Sequence, residues 1–199
     1  MSSASRSRTE LAQALRSVLL DAGEAAALDV HGGTEAAVLA PLYLDAAGEL
    51  HAVFTKRRDD LRRHPGEISF PGGRRDHERE ALHDTALREA EEEIGLPPDT
   101  VELLGPLEPV KTFVTGYVIF PYVGLIDSGR EWVISPHEVA LVMELPLRTL
   151  VESYAQRPIT RRGFTFDTDS YVVGDHLIWG ATARILGELL GHLRPLLAA

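Results

Sequence analysis

The pattern of apolar and polar positions divides the chain into alternating helical and extended stretches. Leu11, Ala14, Leu15, Val18 and Leu19 recur at helical spacing, which predicts a first helix from Thr9 that ends near Asp21-Ala22-Gly23. Residues 36–44 form an unbroken apolar run, as a buried strand does; 45–48 read as a turn and 50–55 as the returning strand. A basic loop with Pro and Gly fills 56–73. The stretch 78–94 is rich in helix formers, stops at Gly95 and is followed by Pro97 and Pro98, so a helix with a glycine stop is expected. Further strands are expected at 101–107, 117–126, 164–166, 171–173 and 177–179. Short helices are expected at 136–142 and 147–154, and a last one at 181–193. Strands and helices mixed in this way, with hairpin-like connections and no repeat, point to an α/β fold of the α+β type. A mixed β-sheet sandwiched between helices is the expected architecture.

Composition narrows this picture. At 199 residues the chain falls in the range of one domain, so a single domain over 1–199 is expected, with the Ser/Arg-rich stretch 1–8 as a flexible tail. A net charge of −10 and a pI of about 5.2 argue against a protein that tracks nucleic-acid backbones, while leaving room for a local basic patch. The absence of cysteine excludes disulfides, zinc thiolates and a cysteine nucleophile. No apolar run reaches the ~18 residues of a membrane span, so neither membrane nor nucleic acid is an expected partner, and the cytoplasm is the expected compartment. There is no GxxxxGK[ST] phosphate loop, HExxH helix or GxSxG elbow.

The chemistry concentrates in the predicted helix. At ~100° per residue, Glu89, Glu92 and Glu93 share one face, while Ala86, Leu87, Ala90 and Ile94 form a separate apolar stripe able to dock on a sheet. Each like-charge pair at this spacing costs an isolated helix ~0.2–0.5 kcal/mol, and the acids crowd toward the negative end of the helix dipole. Arg88 precedes Glu92 by one helical turn and can pair with it. Hard oxygen ligands on one face suit Mg²⁺ or Mn²⁺; a solvated acidic face is the alternative that spacing alone leaves open.

Context decides between them. Phe70-Pro71-Gly72-Gly73, Glu80 and Arg88-Glu89-Ala90-Glu91-Glu92-Glu93-Ile94-Gly95-Leu96 together resemble the Nudix box, placed at about 72–96. The stretch 88–96 matches that family's pattern fully. The loop after Gly73 is one residue longer than the general pattern, with Arg74 at the strict glycine position. The resemblance implies a Nudix fold with a metal-binding loop-helix motif. It further implies that Glu89, Glu92 and Glu93 bind Mg²⁺ or Mn²⁺ with help from the Gly72 carbonyl, and that Arg88 holds the cluster in place.

The preceding loop narrows the substrate. Lys56, Arg57, Arg58, Arg62 and Arg63 are offset only by Asp59 and Asp60, and clustered guanidinium groups suit phosphates. Arg57, Arg62, Gly66 and Phe70 stand at the spacings of the coenzyme A-diphosphatase branch of the Nudix family, which the sequence resembles from about 36 to 190. It departs at Arg58, where that branch carries Ser or Ala. The resemblance implies a small-molecule partner, coenzyme A, cleaved to 3′,5′-ADP and 4′-phosphopantetheine. Arg57, Arg62, Arg63, Phe70 and Tyr117 are the expected substrate-binding residues, Tyr117 or Phe113 being able to stack on adenine.

A general base or further metal ligand from outside the box is expected in such a family; Glu138 leads, with Glu144 and Glu67 also in view. ADP-ribose or another nucleoside diphosphate derivative is the alternative substrate, and a catalytically silent binding module the alternative function. The isomerase branch built on the same box resembles this chain less, because it relies on a cysteine. Leu186, Leu189, Leu190 and Leu193 could serve either the core or a homodimer.

Overall fold

The computed structural model describes residues 7–21, 24–25, 28, 33–112, 116–161 and 163–197; Phe113 and residues 1–6 of the expected tail lie outside them. In chain order the described elements are α1 (Arg8–Arg16), β1 (Thr34–Leu44), β2 (Leu50–Arg57), β3 (Ile68–Ser69), β4 (Gly72–Arg74), α2 (Leu82–Ile94), β5 (Glu102–Pro106), β6 (Val110–Lys111), β7 (Tyr117–Leu125), β8 (Val139–Pro146), α3 (Leu147–Ser153), β9 (Tyr154–Arg161), β10 (Phe164–Val173), β11 (His176–Trp179) and α4 (Gly180–Leu197).

The apolar run of β1 divides by parity. Ala37, Leu39 and Tyr43 join one buried cluster, Ala40 and Leu42 another. In β2, Val53 goes to the first cluster while Ala52 and Phe54 go to the second. Successive strand side chains point to opposite faces, so this sheet is apolar on both and needs helices on both. Ala86, Ala90 and Ile94 of α2 cover one face. Leu11 and Leu15 of α1, with Leu186, Leu189 and Leu193 of α4, cover the other. Leu186, Leu189, Leu190 and Leu193 therefore belong to the core. The expected helix–sheet–helix sandwich is what the chain adopts.

The sheet is mixed. β1 pairs parallel with β7, from Thr34 opposite Tyr117 to Leu42 opposite Leu125, and its other pairings are antiparallel. β1 and β2 pair only between Leu42–Leu44 and Leu50–Ala52 before diverging. The segment 68–74 takes up both freed edges, β3 on β2 and β4 on β1. That wedge sets Gly72 and Gly73 in the sheet beneath α2. A smaller antiparallel sheet, ordered β11-β10-β9, stands apart.

Several expectations are corrected. The helix expected at 136–142 is a single turn followed by β8, because the outer edge of β2 offers unpaired backbone groups that β8 satisfies from His51 to Arg57. The helix expected from 78 starts at Leu82, since 75–80 is held as a loop by the Arg75 guanidinium on the His77 and Glu78 carbonyls. Ser7 and Arg8, expected in the tail, cap and open α1: Ser7 and Glu10 form a reciprocal capping box, and the helix closes at Arg16, short of Asp21. The polar strand β9 was not expected at all, and 164–173 is one strand rather than two pieces. Pro158 is admissible in β9 because that strand is the edge of its sheet. None of the described helices is long and apolar enough to cross a membrane.

Leu189 is fully buried between α4 and the sheet. Leu189→Ala is expected to lower the unfolding free energy by ~2–5 kcal/mol, whereas Leu177→Ala, on the exposed side of β11, should stay within about 0.5 kcal/mol. Urea titration of both variants distinguishes the two.

Candidate active site

Helix α2 ends where its sequence provides for it. Gly95 adopts a left-handed conformation (φ 67°), and its amide and that of Leu96 close back onto the Glu91 and Ala90 carbonyls at 2.9 and 3.4 Å. The last turn thus stays regular through Glu93, whose carboxylate turns inward and is 5% exposed. It accepts a hydrogen bond from the Gly72 amide (3.3 Å) and lies 4.0 Å from the Arg57 guanidinium.

The two glycines of the wedge are a steric requirement of this approach. A β-carbon on Gly72 would fall 2.3 Å from the Ala37 carbonyl oxygen; one on Gly73 would fall 2.4 Å from the Glu89 carboxylate. FPGG and the acidic helix therefore meet at van der Waals distance.

Burial pushes the Glu93 carboxyl up to about 8, with the neighbouring charge of Glu89 next in weight; the Gly72 amide and Arg57 oppose the shift. Glu89 is raised for the same first reason, with Arg88 opposing. Arg88 binds four partners at once: Glu80 at 2.8 Å, Glu89 at 2.9 Å, Glu92 at 3.2 Å and the Arg74 carbonyl at 3.1 Å. Its hydrogen bond holds the Glu80 carboxyl down at about 2. Glu80 also takes the Asp76 amide at 2.7 Å, so the longer loop is pinned onto the helix.

The structure brings most of the predicted residues together. Arg57 reaches Glu93 and also Glu138, at 3.5 Å. A register shift in the β2–β8 pairing falls between Lys56 and Arg57, and such bulges re-aim side chains. Glu138 is 53% exposed at the mouth of the cluster. Glu144 instead accepts from the Trp132 indole at 3.1 Å, and Glu67 meets His64 at 2.5 Å. Arg62 and Arg63 lie exposed in the basic loop without an ion pair among the described residues. Phe70 does not join the site: it is 2% exposed and stacks on Phe54 with centroids 4.5 Å apart. Tyr117 opens β7 opposite Thr34, its amide on the Thr112 hydroxyl.

Two features escaped the sequence. Residues 133–135 strap the end of α2, the Val133 amide on the Ile94 carbonyl at 3.2 Å and the Ser135 amide on the Glu93 carbonyl at 2.9 Å. Arg58, conspicuous only as a departure from a pattern, bonds Asp60 and the Pro136 carbonyl. Neither leaves a periodic signal.

The cluster fits a hard divalent cation. Glu93 and Glu89 are adjacent desolvated carboxylates whose shared charge is offset by one amide and two arginines. Glu92, with its side chain 60% exposed, lies on Arg88 rather than closing with the other two. Among the described residues, the set whose ligand atoms gather within 4.8 Å is elsewhere, at Asp45, Glu49 and His51. There Asp45 already caps its own turn, taking the Ala47 and Glu49 amides at 2.9 and 2.8 Å.

Comparison with known proteins places the chain. Residues 33–157 match the NUDIX domain model. A protein named "Uncharacterized Nudix hydrolase NudL" from Enterobacter sp. (strain 638) is 39% identical over 81% of this chain and 83% of its own length. Its namesake from Photorhabdus laumondii is 39% identical over 77% and 82%. Among solved structures, a MutT/nudix family protein from Enterococcus faecalis covers 96% of this chain and 75% of its own, with TM-score 0.57 at 13% identity. The Nudix hydrolase RenU of M. smegmatis covers 60% and 74%, with TM-score 0.51 at 18% identity. The chain belongs to the Nudix family.

Two predictions follow from this geometry. Gly73→Ala should displace the flexible Glu89 carboxylate and cut hydrolysis at least about ten-fold with little change in melting temperature, whereas Gly72→Ala, which meets backbone, should depress the melting temperature. The second concerns pH. A folded carboxyl raised from 4.5 to about 8 binds its proton more tightly than the unfolded chain does. Its stabilisation is therefore complete below pH 4.5 and is lost as pH rises to 8. With a chelator present, Glu93→Gln should be more stable than wild type at pH 8 by about 1 kcal/mol or more and equal to it near pH 4.5. Thermal denaturation across that range measures the difference.

Proposed function

We propose that this Nudix protein is a Mg²⁺- or Mn²⁺-dependent diphosphatase that hydrolyses coenzyme A to 3′,5′-ADP and 4′-phosphopantetheine. The observation that carries the reading is the juxtaposition of the Glu89–Glu93 pair, wedged against Gly72-Gly73, with a basic segment whose Arg57 reaches Glu93. The divalent cation would be held by Glu89 and Glu93, with Glu92 and the Gly72 carbonyl as further oxygen donors. When bound it supplies charge neutralisation and a more acidic water.

The chain's own residues do the rest. Arg88 keeps Glu89 and Glu92 in register on α2. Arg62 and Arg63, exposed and without an ion pair among the described residues, supply forked donors for substrate phosphates. Arg57 orients Glu138, whose carboxylate accepts the proton of the attacking water. The water oxygen bonds to phosphorus, the bridging P–O bond breaks, and each product leaves with a terminal phosphate. General-base assistance of this kind contributes about 10²–10⁴ in rate.

Incubation with coenzyme A in ¹⁸O-water, followed by mass analysis, tests the reading. The label should appear in one of the two products and nowhere else. Arg62→Ala should raise KM about ten-fold or more with kcat nearly unchanged, and Glu93→Gln should lower kcat by about 10² or more. Faster turnover of ADP-ribose or another nucleoside diphosphate derivative in the same panel would move the substrate assignment. No turnover of any member would favour a binding module.

A further inference from the structure

Arg58 stands among phosphate-binding candidates, yet each of its three guanidinium nitrogens already donates to a protein acceptor. Nε and Nη2 grip the two oxygens of Asp60 at 2.8 and 2.6 Å, and Nη1 donates to the Pro136 carbonyl. Its backbone amide donates to the Glu138 carbonyl at 3.0 Å, and its carbonyl accepts from Gly66 at 3.3 Å. The Nε/Nη2 fork, the edge suited to bidentate phosphate binding, is filled by Asp60.

What it holds is the turn that carries Glu138. That turn is fastened at its other end to α2, through the Ser135 amide on the carbonyl of Glu93. Within it, the Glu138 and Val139 amides both return to the Ser135 carbonyl, at 3.2 and 2.9 Å. The segment 135–138 is thus strung between the backbone of a metal-ligand candidate and the side chain of Arg58. Glu138 projects from it onto Arg57, 3.5 Å away.

We infer that Arg58 is a positioning residue for the hydrolytic reaction, stapling the Pro136–Glu138 turn to the basic loop and so fixing where the Glu138 carboxylate meets Arg57. The chemistry of the fork accounts for the residue type. Asp60 neutralises and orients the guanidinium in a bidentate pair, which leaves Nη1 aimed at the carbonyl of the turn. A lysine reaches one of these partners at a time, and Ser or Ala neither. Sub-ångström placement matters, since a shift of about 1 Å in a reacting group can cost two orders of magnitude in rate.

The inference rests on Glu138 as proton acceptor, and its test separates the two. Steady-state kinetics of the full-length protein with coenzyme A and Mg²⁺ are compared for wild type, Arg58→Ala, Arg58→Lys, Glu138→Gln and the Arg58→Ala/Glu138→Gln double variant. Arg58→Ala should lower kcat about ten-fold with KM within about two-fold, Arg58→Lys should recover part of the loss, and the double variant should be no slower than Glu138→Gln alone. A rise in KM at constant kcat would make Arg58 a substrate contact, and independent effects in the double variant would remove the link to Glu138; either result overturns the proposal. An unaltered rate in Glu138→Gln removes the proton-acceptor reading instead. Amide hydrogen exchange then decides the staple by itself. Arg58→Ala should speed exchange at the Arg58, Glu138 and Val139 amides, and unchanged protection there would show that no staple exists.

Discussion

A carboxylate buried next to another carboxylate organises this molecule. Glu93 packs onto the sheet wedge with Glu89 beside it, against a glycine pair that leaves no room for a side chain. Burying like charges in this way is unfavourable for the fold taken alone. The surrounding structure compensates only in part, through one amide, the 4.0 Å approach of Arg57 and the four-way hold of Arg88. That imbalance is what the proposed divalent cation would relieve.

The topology serves the same constraint. Divergence of β1 from β2 opens a gap, and the FPGG segment fills it by pairing with both, which carries the glycines under α2. The glycine stop at Gly95 keeps the last turn helical through Glu93, and the 133–135 strap closes the free carbonyls there. Phe70 contributes from within the core, anchoring the wedge on Phe54.

Much of this was legible in the sequence wherever periodicity or spacing carried it. The parity of β1, the apolar stripe of α2 and the box itself all follow from residue order. What was not legible depended on partners distant in sequence. Residues 139–142 read as helix because their identity does not record the open edge of β2. β9 carries Pro158 and two arginines, and its strand character comes from pairing with β10. Among site residues, the spacing placed Glu89, Glu92 and Glu93 on one face. The i,i+4 pairing of Arg88 with Glu92 was legible too, but nothing in the spacing revealed that Glu93 is buried or that Phe70 is core. Arg57 and Glu138 meet across 81 positions of sequence, a proximity that only the β2–β8 pairing creates.

Under the proposed function, Glu89 and Glu93 are crowded in order to gather a divalent cation. Titration of the intact protein with Mn²⁺ at pH 8, followed by the electron paramagnetic resonance of the free ion, tests it directly. Wild type should remove Mn²⁺ from solution at a site that Glu93→Gln loses, with the folded state of the variant verified by circular dichroism. Equal Mn²⁺ uptake by the two proteins would contradict the account.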